Sequence, residues 1–192
     1  MSEKINIFHP NSPKAWREWL VKNHENTEAV WLVFHTVKSG KPSLTWSEAV
    51  DEALCFGWID SKKVKIDTDT YHQYFSKRKA NSTWSKVNKD KILQLEAENR
   101  MEKAGWQVIE RAKENGSWTL LDSVEALLVP DKLVVEFNKY EGASDYFESL
   151  SKSSKKILLS WIVLAKREET KMKRIQVIAE AAGQQSMPKP FQ

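Results

Sequence analysis

The hydrophobic rhythm of this chain changes once, near residue 80, and that change limits the folds open to it. Before it lie apolar runs of strand length; after it the apolar residues recur at helical spacing. Ala29–His35, with Val30, Trp31, Leu32, Val33 and Phe34, reads as a strand buried on both faces. Trp58-Ile59-Asp60 opens a second strand. Asp67–Thr70 is a turn, and Tyr71–Ser76 a third strand. Two helices punctuate this half. Ser12-Pro13 is an N-cap followed by proline at the first helical position, with Trp16, Trp19 and Leu20 on one face to about Asn23. Thr45 and Glu48 form a capping box ahead of Ala49, Val50, Ala53 and Leu54, and Gly57 ends that helix. Past residue 80, Ser82 or Ser85 caps a helix to about Asn99, and another spans Lys103–Asn115. Leu127–Val129 with Pro130 reads as a linker or edge segment. Helices then follow from Asp131, among them Lys155–Lys166, apolar nearly all round and so expected at the centre. The last runs Glu169–Ala182, followed by a loose tail after 183. The expected architecture is α+β. A small mixed β-sheet with helices fills the N-terminal half (residues 1–122), packed against an all-helical C-terminal module (123–192).

Composition excludes several classes. With 41% apolar residues, nine Trp and seven Phe in 192 residues, the chain can build a core. No run approaches the roughly 18–20 apolar residues that a membrane span needs. Met1–Asn6 has no apolar stretch of a secretory signal, so a cytoplasmic place is expected. Cys55 is the one cysteine, in keeping with a reducing compartment. His9, His24, His35 and His72 are scattered and lack metal-ligand spacing, and the six glycines make no phosphate loop. No metal and no cofactor is expected.

The net charge of +4 hides a strong unevenness. Residues 71–91 carry six basic residues and one acid; residues 152–175 carry eight and two. The remainder is acidic. In the first island a strand delivers Lys77, Arg78 and Lys79 to a loop. Ser82, Trp84, Ser85 and Lys86 then lead into a helix start. Backbone N–H groups, hydroxyls and cations together suit an anion, and Trp84 suits stacking beside it. The plainer alternative is that a serine simply caps the helix and Trp84 staples it to the core. The second island, with Lys166, Arg167, Lys171 and Arg174, suits an acidic protein partner, a phosphate backbone or anionic lipid, or is a solvated face. Trp58 and Asp60 stand at a helix-to-strand junction of the kind that opens onto sheet-edge pockets. Asp60, His72 and Cys55 would make a small enzyme if they converged; Cys55 between Leu54 and Phe56 also reads as an inert core thiol.

Three stretches carry a family likeness. They are Phe8-His9-Pro10 through Leu20, Gly40 through Asp60, and Phe75 through Asn88. The C-terminal segments Phe147–Ser151, Trp161-Ile162, Ala165–Thr170 and Arg174-Ile175 add to them. On these residues the chain resembles the YdeI/OmpD-associated, or bacteriocin-protection, family. The resemblance implies a link to resistance against bacteriocins or cationic antimicrobial peptides and to an outer-membrane porin, and it brings no catalytic residues. The expected function is that of a non-enzymatic bacterial binding protein of peptide protection or stress resistance. It would hold an anionic small molecule or nucleic acid through Trp58, Asp60, Lys77, Arg78, Lys79, Ser82, Trp84, Ser85 and Lys86. The alternatives are the small enzyme and a partner-docking module using the basic C-terminal helices. Ligand identity and oligomeric state are not legible.

Overall fold

A computed structural model describes residues 6–192; Met1–Ile5, part of the stretch read for a signal, lie outside the described residues. These divide into two compact units, one ending at Trp118 and the other spanning Thr119–Gln192.

The first unit is built on a four-stranded mixed sheet in the order β1-β2-β4-β3. Its strands are β1 (Asn6–Phe8), β2 (Ala29–His35), β3 (Trp58–Lys65) and β4 (Thr70–Lys77). β1 lies parallel to β2, while β4 runs antiparallel to both β2 and β3. Helix α1 (Pro13–Asn23) connects β1 to β2, and α2 (Trp46–Cys55) connects β2 to β3. Their starts follow the sequence signals. The Ser12 hydroxyl accepts from Ala15 N at 3.2 Å. Thr45 and Glu48 exchange bonds, Glu48 N to Thr45 Oγ1 at 3.2 Å and Thr45 N to Glu48 Oε2 at 2.7 Å. The inner face of the sheet buries Val30, Leu32, Phe34, Trp58 and Phe75 with Trp16, Leu20, Val50 and Leu54 of the two helices. Trp16 also donates its indole N–H to Ala49 O at 3.0 Å, which satisfies the one polar atom of a fully buried ring.

Helices α3 (Lys86–Ala97) and α4 (Lys103–Glu114) complete this unit. α4 lies close against the end of α2: Glu102 N donates to Cys55 O at 3.1 Å. A Cβ added at Gly105 would stand 2.4 Å from that same carbonyl oxygen. Gly57, at φ +73°, turns the chain from α2 into β3, where a Cβ would also meet Val108 at 2.7 Å.

A charged network fastens the four helices. Glu52, buried on α2, accepts from Arg17 at 2.9 Å and from Arg100 at 2.8 Å. Arg17 also reaches Glu102 at 2.6 Å, and Arg100 reaches Glu98 at 2.7 Å. Burial works against both guanidinium charges, yet the carboxylates outweigh it and raise both pKa values.

The second unit is helical: α5 (Asp122–Glu125), α6 (Asp131–Phe137), α7 (Ala143–Ser149), α8 (Lys152–Val163) and α9 (Glu168–Gly183). Leu133, Phe137, Phe147, Leu158, Leu159, Ile162, Ile175 and Ile178 form its separate core. Ser151 caps α8 by accepting from Ser154 N at 3.1 Å. Among the described residues, no helix is long and apolar enough to cross a membrane.

Two expectations are corrected. β2 is buried on one face only, because Val30, Leu32 and Phe34 alternate with half-buried Ala29, Trp31, Val33 and His35. α8 is one-sided as well: Ile157 is 47% exposed, and Leu158, Leu159 and Ile162 alone are buried. Beyond Gly183 two side chains pack on this unit. Phe191 meets Trp161 edge-on at 5.3 Å, and Met187 packs on the second core. β1 went unread in the sequence because three residues are too short to display a period.

Candidate functional site

β4 ends at Lys77, and the next residues turn across the mouth of the sheet. Arg78 N donates to Gly57 O at 3.0 Å, and Lys77 N to Glu28 O at 3.0 Å, so β4's end is pinned on both sides. The loop is then tied to the end of α4: Asn115 Nδ2 donates to Ala80 O at 2.8 Å. Trp84 packs on Trp118 with ring centres 5.0 Å apart. Ser85, not Ser82, caps α3, accepting from Asn88 N at 3.3 Å.

This arrangement encloses an open pocket of about 700 Å³. Arg78, Lys79 and Ser82 line it from the loop, Tyr74, Ser76 and Lys77 from β4, Ala29 from β2 with Glu28 just before it, Ile59 and Ser61 from β3, and Arg111 from α4. Four cations and one acid therefore face one space. Glu28 is already engaged, at 2.7 Å from Lys77 Nζ.

Arg78 is the unusual member. It is 6% exposed. Its guanidinium lies 3.6 Å from the centre of the Trp84 ring, and Nη1 donates to Thr83 O at 2.7 Å. Nε and Nη2 are buried with no hydrogen-bond partner. Desolvation pushes its pKa down to about 10, and the field of Asp60 offsets this only in part. A charge held this way costs stability, and a countercharge in the adjoining pocket would lower that cost.

The sequence-derived set thus separates into three groups. Lys77, Arg78, Lys79 and Ser82 meet at the pocket. Trp58 and Trp84 are each 1% exposed and cannot stack on a ligand; Trp84 is the staple, and its face is taken by Arg78. Ser85 caps α3, and Lys86 pairs with Asp90 at 2.9 Å; neither lines the pocket. Arg111 and Tyr74 were missed. Arg111 lies about thirty residues from the loop and has no local signal, whereas Tyr74 is legible as an outward position of a one-sided strand.

Nor do the residues of the small-enzyme alternative converge. Asp60 pairs with Phe75 in the sheet and so shares the inner face; it accepts from Trp46 Nε1 at 2.9 Å and Gln73 Nε2 at 3.0 Å. His72 alternates with Gln73 and lies on the opposite face, 6.4 Å from Trp31 between ring centres. Cys55 is buried beside Arg17, and burial pushes its thiol up to about 11. Among the described residues, no group of three or more His, Cys, Asp or Glu could hold a metal ion.

In the second unit, Arg174 donates to Trp161 O and lies 5.2 Å from that ring's centre, so it serves the fold. Lys171 is half-buried, and Lys166 and Arg167 are exposed.

Two family models match the chain. Residues 8–108 match a family described as Domain of unknown function (DUF8412), which includes the loop cations but not Arg111. Residues 126–185 match the family described as Bacteriocin-protection, YdeI or OmpD-Associated, so the likeness seen in the C-terminal residues holds for the helical unit. No curated protein and no solved structure matches the chain. With more than half of its length under the first model, the chain belongs to the family of the DUF8412 domain, and it carries a YdeI/OmpD-associated module after it.

Proposed function

We propose that this is a non-enzymatic binding protein that takes an anionic ligand in the pocket of its first unit. The observation that carries the reading is Arg78, a buried guanidinium with two unpartnered nitrogens, lining a space shared with Lys77, Lys79 and Arg111. Lys79 and Arg111 are exposed and meet the ligand from solvent, Ser82 adds a hydroxyl, and Arg78 supplies fixed charge from a low-dielectric wall. The separation of Asp60, His72 and Cys55 supports binding without chemistry. The match of the second unit supports a biological role in bacteriocin protection.

Titration calorimetry of the full chain with sodium tripolyphosphate tests the site. Arg78→Met, and separately Lys79→Ala with Arg111→Ala, are expected to weaken binding about tenfold or more, since charged hydrogen bonds contribute roughly 1.5–3 kcal/mol. Absence of binding by the natural chain, or unchanged binding by both variants, sinks the reading.

A further inference from the structure

The outer face of the sheet adjoins the pocket and carries an aromatic strip. Trp31 on β2 is paired directly with Tyr74 on β4, their rings edge-on at 4.9 Å, and His72 follows two residues further along β4. All three are half-buried. Trp31, Tyr74 and their neighbours Val33 and Ile59 belong to neither hydrophobic core. Tyr74 also lines the pocket, so the strip begins where the cations gather. From Ser76 to His72 it spans about 13 Å of strand, space for more than one stacked base.

Charge stands beside the strip. β3 forms the sheet edge, and Lys62 is exposed at its bulge, whereas Lys63 and Lys65 pair with Gln73 and Tyr71 and so belong to the inner face. Three of the nearby acids are engaged. Glu28 pairs with Lys77, Asp60 holds Trp46 and Gln73 on the inner face, and Asp67 accepts from the Asp69 and Thr70 amides in the β3–β4 turn. Lysines on an edge strand also deter sheet-to-sheet pairing, but that role does not require aromatic rings on the neighbouring face.

Resting on the reading of the pocket as an anion site, we infer that the occupant is single-stranded nucleic acid. Bases stack on Trp31 and Tyr74, and the backbone phosphates run from the Lys77–Lys79 and Arg111 pocket toward Lys62 at the β3 bulge. Aromatic platforms flanked by cations bind single strands with little sequence preference and with strong salt dependence. A duplex offers no free base faces to such a strip, and a mononucleotide would cover only part of it.

Fluorescence anisotropy of the full chain with a labelled uridine 20-mer is the test. Trp31→Val and Tyr74→Val retain β-forming residues while removing the stacking surface. Each is expected to weaken 20-mer binding about tenfold, and Trp31→Val, outside the pocket lining, to leave tripolyphosphate binding unchanged. Lys79→Ala with Arg111→Ala should weaken both ligands and flatten the log–log salt slope by about 1.4. Photocrosslinking of a 5-iodouridine 20-mer to the natural chain, mapped to Trp31 or Tyr74, gives the same answer without a variant. Tripolyphosphate binding without 20-mer binding overturns this inference and spares the pocket, as do crosslinks confined to other residues. Equal or tighter binding of duplex, of adenosine monophosphate or of polyglutamate also overturns it. If tripolyphosphate fails to bind, the pocket reading falls and this inference falls with it.

Discussion

Arg78 illustrates a charge placed where folding alone would not put one. Its lowered pKa means that the buried cation costs stability at neutral pH, a cost relieved only as the pH rises above about 10. Arg78→Met keeps an unbranched stem against Trp84 and removes the charge. Its urea-unfolding free energy is therefore expected within about 1 kcal/mol of the natural chain, or higher, while anion binding falls. A loss well beyond that would make Arg78 a structural residue. Cys55 is the converse case, a reactive type made inert. With its thiol pushed up to about 11, alkylation by iodoacetamide at pH 8 should run at least about a hundredfold slower in the native chain than in urea. Its inertness was legible from Leu54 and Phe56 on either side. The Trp84 face, by contrast, was misread, because a sequence shows that Trp and Arg are near one another but not that they occupy each other. His9 supplies a pH dependence. Burial, then His35 and Lys41, lower its pKa below the ordinary 6.5. The folded chain thus holds fewer protons, and stability present above pH 6.5 is lost as the pH falls through the folded value. Melting temperatures at pH 7 and pH 5 should diverge less in His9→Gln than in the natural chain.

Secondary-structure elements were legible where their ends carry chemistry. Ser12, Thr45, Ser85 and Ser151 each accept from the amide three residues on, and the first two were read unambiguously from proline or glutamate beside them. What could not be read is which elements meet. The Arg17–Glu52–Arg100 network joins residues 35 and 48 positions apart, with no local period to announce it. Glu52→Ala would strand two arginines, each still partly hydrated, at an expected cost of about 2 kcal/mol in chemical unfolding. Gly105→Ala drives a methyl into the Cys55 carbonyl, and since backbone must shift to admit it, about 1–3 kcal/mol of destabilisation is expected. Retention of the natural unfolding midpoint by either variant would show that the contact is slack.

At the scale of the whole chain, each unit holds its own core, and each family match lies within one unit. Residues 119–192 expressed alone are expected to give a helical circular dichroism spectrum and a cooperative melt; a featureless melt would deny that unit its independence. The α+β class was legible because hydrophobic period distinguishes strands from helices. The pocket was half legible, its loop cations standing together in sequence while Arg111 arrives from a separate helix. That arrival has a cause in the contact at Gly105. Six residues, or about 9 Å of helix, separate the α2–α4 contact from Arg111. Any side chain at position 105 would therefore displace the helix that carries Arg111, so that a hydrogen atom in the protein's interior bears on an opening at its surface.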